Sequence, residues 1–245
     1  MRDYARETAQ RVDFIRKLVA DTGVKGIVFA NSGGKDATLT GILCKMACDN
    51  TVGLILPCGV SRNYAEDRAH AELLGAQFNI FQRKFDLKNA RDALVQALNN
   101  GGLDEINNEE ANVSIAPRLR MIALYTVAVT ENRLVAGTGN RSEKHMGYFT
   151  KWGDGAFDFN PIVDLTVTEI FEFLRHLKAP APIIEKAPSA ALFEGQTDEG
   201  EMGITYASLD AFLLTGKTNA EDEAVIDRFH TRSEHKRKNP VLYGD

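Results

Sequence analysis

The sequence is poor in several residue types that mark specialised classes of protein. It has three cysteines, one tryptophan and seven prolines in 245 residues. Three cysteines cannot all pair with one another and none stands in a Cys-x-x-Cys spacing, so neither a disulfide scaffold nor a cysteine zinc site is predicted. This cysteine usage favours a reducing, cytoplasmic compartment. No apolar run approaches the ~20 residues of a membrane span, and the charged N-terminus does not resemble a signal peptide.

Neither sign of charge is in large excess. The formal net charge is −5, which gives no support to nonspecific binding of nucleic acid across the surface. The one basic cluster, residues 235–238, is local. With 44% apolar residues, the composition is that of a globular protein, and the length suits one large α/β domain over residues 1–245.

Strand and helix patterns alternate through the first hundred residues. Buried strands are predicted at 26–30 and 51–56, and amphipathic helices follow them. A third strand is predicted around Phe78–Phe81, and a helix over 87–98 is expected to bury Leu87, Leu94, Val95 and Leu98. This rhythm favours an α/β fold: a parallel, twisted sheet with helices on both faces.

The most informative stretch is residues 26–38. A buried strand runs into the glycine turn Ser32-Gly33-Gly34, and a helix begins near Asp36. Such a unit aims backbone N–H groups and a helix dipole at one point, which suits phosphate. It matches neither G-x-x-x-x-G-K-[ST] nor G-x-G-x-x-G. An acid beside phosphate indicates Mg²⁺ between them; the alternative is an ordinary turn with Asp36 as N-cap.

A second dense region covers residues 137–160, directly after a short predicted strand at 134–136. Its glycines, charges and aromatic residues predict an ordered, irregular, functional loop. Glu143 would supply a second carboxylate near the glycine turn if the two strands are neighbours. Before this strand, Pro117 is predicted in the first turn of a long helix, where Arg118 would oppose the macrodipole unless it binds an anion; the alternative is an Arg118 side chain that is exposed to solvent.

Two smaller patterns concern packing. Thr166 and Glu169 form a predicted capping box at the start of a helix. Cys44 and Cys48 share a helix face with Ala37 and Gly41, which predicts close packing of small residues against a neighbour.

Together these motifs resemble the ammonia-dependent NAD synthetases of the ATP-pyrophosphatase superfamily. Ser32-Gly33-Gly34-Lys35-Asp36 is similar to the superfamily's pyrophosphate loop. The narrower resemblance is carried by stretches in the family's order and spacing, at residues 137–143, 147–155, 161–162, 186–190, 197–206 and 233–237.

The resemblance implies a Rossmann-like, ATP-pyrophosphatase type of fold and an ATP-dependent amidation. The carboxylate of nicotinic acid adenine dinucleotide (deamido-NAD) attacks the α-phosphate of ATP and releases pyrophosphate. Ammonia then displaces AMP and leaves NAD. Glutamine-dependent relatives carry a glutaminase domain for which 245 residues leave no room. A homodimer with the dinucleotide near its interface is implied, with no nucleic acid or membrane as partner.

The resemblance also implies roles for individual residues. Asp36 and Glu143 would ligate Mg²⁺ and, with Lys186, act in catalysis. The expected ATP-binding residues are Ser32, Gly33, Gly34, Lys35, Ala37, Thr38, Thr138 and Ser189. The residues expected to hold deamido-NAD are Arg118, Lys151, Asp158, His235 and Lys236.

Three positions depart from the family pattern. Ala37 replaces the usual serine, Val167 replaces a lysine that contacts ATP, and the approach from Asn112 to Arg118 is longer. Lys35 and Lys186 are candidates to replace the missing lysine. Because of these departures, a protein that binds nucleotides for regulation and does not catalyse a reaction remains an alternative. A second alternative is a tRNA-thiolating enzyme of the superfamily, since Ser-Gly-Gly-Lys-Asp also occurs in those enzymes. Deprotonation of ammonium has only Asp198, Glu199 and Glu201 as nearby candidates.

Overall fold

The computed structural model describes residues 2–59, 64–103, 109–186 and 197–244. These residues form four strands: β1 Gly26–Ala30, β2 Thr51–Ile55, β3 Phe81–Lys84 and β4 Arg133–Ala136. The described helices are α1 Tyr4–Thr22, α2 Lys35–Ala47, α3 Tyr64–Phe78, α4 Lys88–Asn100, α5 Glu109–Glu131, α6 Arg141–Met146, α7 Val167–His176, α8 Ala181–Glu185, α9 Asp198–Met202, α10 Tyr206–Thr215, α11 Ala220–Arg232 and α12 Glu234–Arg237.

The strands form one parallel sheet in the order β3-β2-β1-β4, which confirms the predicted fold class. β1 pairs with β2 on one side and with β4 on the other, so the strand order reverses at β1. Parallel α/β sheets bind ligands at such a switch point, beyond the carboxyl ends of the strands. The glycine turn after β1 and the Glu143 segment after β4 therefore lie side by side.

The two faces of the sheet carry separate parts of the core. Ile27 and Phe29 of β1 pack against α1, α2 and α7, and the alternate residue Val28 packs against Leu124 and Ala128 of α5. This division follows from the two-residue period of a strand. A third cluster joins α6, α7, α9, α10 and α11 beyond the carboxyl end of β4.

Several predicted elements differ in their limits. β3 begins at Phe81, because Phe78 closes α3 instead of opening a strand. No residue of α4 is buried, so the predicted burial of its leucines and Val95 is wrong. In the described residues α4 packs on α5, where Val95 and Leu98 are half-buried and Leu94 is exposed.

The beginning of α5 also differs from prediction. The helix begins at Glu109, so Pro117 lies inside it and Arg118 is well past the first turn. The macrodipole argument for Arg118 is therefore wrong. Residues 112–118, which make the longer approach to this arginine, are helical.

One face of α5 remains largely open. Within the described residues, α5 is the helix long and apolar enough to cross a membrane by length and composition; its Ala111–Glu131 part has a mean hydropathy of 1.2 and is 28% buried. The expectation that no apolar segment is long enough to cross a membrane is therefore corrected for α5, by length and composition. A helix packed on a sheet passes the same test, and α5 contacts β1 and β4.

Gly41 determines how closely α2 approaches the sheet. A Cβ atom at this position would lie 2.6 Å from Cζ of Phe29, whose ring is buried under α2. The predicted packing of small residues is confirmed here. Because the glycine turn leads directly into α2, this contact also determines where the turn lies.

We expect Gly41→Ala to lower the free energy of unfolding by about 1 kcal/mol or more. Overpacking a core costs roughly 1–3 kcal/mol, and the approach to a buried ring places the cost at about 2–3 kcal/mol here; better helix propensity returns about 1 kcal/mol, which leaves a net loss of about 1–2 kcal/mol. Urea unfolding measures the difference. The control is Gly101→Ala, where the nearest atoms lie at 3.4 and 3.5 Å. Its stability should stay within about 0.5 kcal/mol, and a Gly41→Ala protein as stable as this control would contradict the argument.

Candidate functional site

The glycine turn is held open by backbone geometry that only glycine adopts easily. Gly33 has φ +76°, and a Cβ there would lie 2.2 Å from the carbonyl oxygen of Asp67. The Gly33 N–H donates to Asn31 Oδ1 at 3.2 Å, and the Gly34 N–H donates to Ser32 Oγ at 3.3 Å. Gly34 is the N-cap of α2 and provides no side-chain cap. The alternative in which Asp36 caps an ordinary turn is therefore wrong.

Asn140 joins this turn to the segment after β4. Its side-chain amide donates to Asp36 Oδ1 at 3.0 Å, and its Oδ1 accepts from the Glu143 N–H at 2.9 Å. The Glu143 carboxylate in turn accepts from the Asn140 N–H at 3.1 Å, which completes a capping box for α6. The irregular loop predicted over 137–160 thus contains a short helix, and this helix places Glu143 beside Asp36.

Lys35 is a buried cation among these carboxylates. Its Nζ donates to Asp36 Oδ2 at 2.8 Å and lies 5.7 Å from the centre of the Tyr206 ring. Burial would lower the pKa of Lys35, but the charges of Asp36, Glu143 and Asp198 together raise it, so the side chain stays protonated. Burial, followed by repulsion from Asp36, raises the pKa of Glu143 to about 8. The single charge of Lys35 therefore does not balance the negative charge that Asp36 and Glu143 carry when both are ionised.

Asp36 and Glu143 fit a site for Mg²⁺ by their chemistry. Mg²⁺ prefers oxygen ligands and is commonly held by one or two carboxylates, with phosphate and water completing the shell. Among the described residues, no group of three or more His, Cys, Asp and Glu side chains is arranged to hold a metal by itself. A pair of carboxylates would leave the rest of a Mg²⁺ coordination shell to phosphate and water.

These groups open into a cavity of about 1040 Å³, at the upper end of the size range of ligand pockets. It lies at the carboxyl ends of β1, β2 and β4. The cavity brings together most of the residues selected from the sequence. Those that line it are Ser32, Gly34, Lys35, Asp36, Ala37, Thr138, Glu143, Lys186, His235 and Lys236.

Other predicted site residues lie near the cavity without lining it. Within the described ranges these are Gly33, Thr38, Arg118, Lys151 and Asp158. The Thr38 hydroxyl is buried without a hydrogen-bond partner, and Arg118 is exposed and donates to Ser114 Oγ. Ser189 lies outside the described residues.

Four of the charged residues also hold neighbouring segments in place. Lys186 pairs with Glu66 and Asp67 of α3. Lys236 donates to the carbonyl oxygens of Gly147 and Phe149, and Lys151 donates to that of His235. Asp158 accepts from the Val135 N–H at 2.7 Å. These contacts arrange the walls of the cavity from α3, α12 and the 147–155 loop.

The candidate bases near α9 differ in their surroundings. Asp198 is buried, lines the cavity and accepts from the Tyr206 hydroxyl at 2.9 Å. Glu199 accepts from the Tyr206 N–H at 2.7 Å, and Glu201 lines the cavity. Of the three, Asp198 is both buried and next to the acids around Lys35.

The comparisons with known proteins agree with this geometry. The family model described as NAD synthase matches residues 7–240. The NH(3)-dependent NAD(+) synthetase of Carboxydothermus hydrogenoformans is 41% identical over 241 residues, 98% of each chain. The chain belongs to the NAD synthase family.

Two solved structures of this family extend over almost the whole chain. The NMN synthetase from Francisella tularensis is 33% identical, covers 100% of both chains and has a TM-score of 0.93. The NH3-dependent NAD synthetase from Campylobacter jejuni is 27% identical, covers 99% of both chains and has a TM-score of 0.80. The resemblance drawn from the motifs is confirmed.

Two departures from the NAD synthase pattern can now be located. Val167 is buried in the cluster that also contains Tyr206, where a lysine would need a charged neighbour. Lys35 lies against the same Tyr206 ring, whereas Lys186 is paired with α3. Ala37 is buried at the cavity wall, so a serine hydroxyl is absent there.

Sequence reasoning missed two residues. Asn140 had no assigned role, although the Asn-x-x-Glu spacing of 140–143 is a capping-box signal. Arg120 lines the cavity from α5, two residues after the arginine that the motif selected. No local pattern distinguishes these two arginines, because the direction of each depends on how α5 packs on the sheet.

We expect Asn140→Ala to weaken Mg²⁺-dependent binding of ATP roughly tenfold or more, because Asp36 and α6 lose the group that joins them. It should also lower the free energy of unfolding by about 1 kcal/mol through loss of the helix cap. Calorimetric titration and urea unfolding measure the two effects.

The matched control is Asn219→Ala. Asn219 caps α11 in the same way, accepting from the Asp222 N–H at 2.8 Å, and does not line the cavity. It should lose similar stability and bind ATP normally. Equal ATP binding by both variants would show that Asn140 is a cap and nothing more.

Proposed function

We propose that this chain is an ammonia-dependent NAD synthetase, which uses ATP to convert the carboxylate of deamido-NAD into the amide of NAD. The observation that carries the proposal is the Asp36–Asn140–Glu143 arrangement beside the glycine turn, inside a cavity large enough for nucleotides. Family membership and the full-length similarity to curated NAD synthetases support it.

The proposed role of each residue in the first half of the reaction follows from its chemistry. A carboxylate becomes a good electrophile only when its oxygen joins a leaving group, so the substrate carboxylate first attacks the α-phosphate of ATP. The Lys35 ammonium beside the glycine turn would stabilise the pyrophosphate that leaves, and the N–H groups of Gly33 and Gly34 would exchange their Asn31 and Ser32 partners for its oxygens. We propose that Lys35 supplies the charge that the family usually draws from the position of Val167. Mg²⁺ held by Asp36 and Glu143 would neutralise phosphate charge.

The second half of the reaction needs a neutral nitrogen nucleophile. Ammonia attacks the adenylated carboxylate, AMP leaves and the amide forms. Asp198 is the proposed acceptor of the surplus proton, because it is buried at the cavity wall. The residues that the motifs assign to deamido-NAD include Lys151 of the 147–155 loop and His235 and Lys236 of α12, and the last two line the cavity.

A mononucleotide substrate is the second candidate. The structure is more similar to the NMN synthetase of Francisella tularensis, with a TM-score of 0.93, than to the NAD synthetase of Campylobacter jejuni, with 0.80. Nicotinate mononucleotide carries the same reacting carboxylate as deamido-NAD and lacks the adenylate half. The proposed chemistry is the same for both, and only the length of the substrate differs.

Two further alternatives are less well supported. A tRNA-thiolating enzyme needs a reactive thiol, but burial raises the pKa of both Cys44 and Cys58. A regulator that binds nucleotides without catalysis has no need for two carboxylates placed for a metal.

The function is tested by incubating the purified protein with ATP, Mg²⁺, ammonium and either nucleotide. We expect amide product and AMP in equal amounts, and the ratio of kcat/KM values identifies the preferred substrate. ATP binding without turnover would favour the regulator. A requirement for tRNA would favour the thiolating enzyme.

Asp36→Asn should reduce turnover at least a hundredfold, because the amide keeps the shape of the carboxylate but removes its charge for the metal. Circular dichroism should show an unchanged fold. The control is Asp13→Asn, at an exposed position of α1 that pairs with Arg16. Near-native turnover by Asp36→Asn would show that the assigned metal role is wrong.

We further propose that a second copy of the chain covers the open face of α5. Arg118, Ile122, Tyr125 and Val129 recur at helical spacing along this face, and Ile122 and Val129 are 55% and 82% exposed. An apolar stripe of this length is typical of an interface between subunits. It would also bring Arg118 next to a neighbouring subunit, consistent with a substrate-binding role near an interface.

Val129→Lys is therefore expected to shift the protein from dimer to monomer, because it places a charge inside the proposed contact. Light scattering after size-exclusion chromatography measures the mass at micromolar concentration. Val241→Lys, at a 94% exposed position of the C-terminal segment, is the control and should remain dimeric. A dimeric Val129→Lys protein would rule out this face.

A further inference from the structure

Arg120 is an arginine of the cavity wall to which no motif assigns a role. It lies on α5, and its Nε donates to the carbonyl oxygen of Leu56 at 3.1 Å, just after β2. Leu56, Pro57 and Cys58 line the same part of the cavity. The Nε contact orients the guanidinium and leaves its two terminal nitrogens for other partners.

The charge of Arg120 has no carboxylate in direct contact among the described residues. By contrast, Arg11 pairs with Glu7 and Asp164, and Arg133 pairs with Glu131. Burial lowers the pKa of Arg120, and the charges of Asp154 and Asp67 offset this only in part. A partly buried cation without a bound anion is unfavourable, so the folded protein keeps this arginine at a cost in stability.

Guanidinium groups recognise phosphate and carboxylate oxygens through a planar pair of N–H donors. Two parts of the cavity wall lie near Arg120. The Leu56–Cys58 segment accepts its Nε hydrogen bond through the Leu56 carbonyl. The 147–155 loop packs on the preceding turn of α5, where a Cβ at Gly153 would be 2.9 Å from Cβ of Pro117, and the charge of Asp154 acts on Arg120.

We propose that Arg120 binds a phosphate oxygen of one of the two nucleotides in the cavity. The proposal rests on the proposed function for the identity of those nucleotides. The source of the phosphate is either ATP, approached from the β2 side, or the nicotinate nucleotide, approached from the loop side. Arg120 thereby supplies the cavity-facing cation of α5, while Arg118 points to the exposed face of the same helix.

The experiment is calorimetric titration of wild type, Arg120→Gln and Arg120→Lys with three probes: a non-hydrolysable ATP analogue with Mg²⁺, deamido-NAD and nicotinate mononucleotide. Arg120→Gln should weaken binding of at least one probe roughly tenfold or more, as expected for a lost bond to a charged group. The affected probe identifies the source of the phosphate. Arg120→Lys keeps the charge without the paired donors and should show an intermediate loss.

Arg16→Gln is the control, because Arg16 also donates to a carbonyl oxygen, that of Met46, and lies on α1 outside the cavity. It should bind every probe as wild type does. The melting temperatures of the variants distinguish a role of Arg120 in binding phosphate from a role in holding the Leu56 segment in place. Unchanged binding by Arg120→Gln, or a loss that accompanies a lowered melting temperature, overturns the proposal.

If Arg120→Gln does not fold, the comparison is made with Arg120→Lys, for which unchanged binding likewise overturns the proposal. Failure of the proposed function is seen separately. A wild-type protein that binds the probes but makes no amide refutes the reaction and leaves the role of Arg120 standing. Turnover by the wild-type protein, together with normal binding by Arg120→Gln, supports the reaction and overturns the role of Arg120.

Discussion

The side-chain amide of Asn140 holds the candidate site together. It donates to Asp36 on α2 and caps α6, which carries Glu143. The contact is possible because β1 and β4 are neighbours in the sheet, so the segments after them meet at one edge. A single polar side chain thus brings together two carboxylates that are far apart in sequence. Without it, Asp36 would lose its link to α6, and α6 would lose its N-terminal cap.

The charges around this contact explain why the site suits a metal and phosphate. Lys35 neutralises part of the acidic cluster, yet burial and Asp36 still raise the pKa of Glu143 to about 8. The cluster therefore gains from additional positive charge, which Mg²⁺ carried by a phosphate would bring. In this NAD synthase family member, the lysine inside the turn also lies next to Tyr206 and the cluster that contains Val167.

Helix α5 serves several purposes at once. Leu124 and Ala128 pack on the sheet, Arg120 faces the cavity, and Ile122 and Val129 face outward. A surface helix of an isolated domain would expose mainly polar residues there. The combination makes α5 the element through which a second copy of the chain could influence the cavity.

The sequence by itself determined the fold class, the glycine turn, both carboxylates and the family, because these depend on local periodicity and on motifs with fixed spacing. It failed where the outcome depends on packing between distant segments. Pro117 and Arg118 were assigned to a first turn that begins earlier, and the leucines of α4 were expected inside. Only the tertiary structure decided that Asn140 bridges Asp36 and α6 and that Arg120 faces the cavity. The direction of a helical side chain is set by the neighbours against which its helix packs, and local sequence does not contain them.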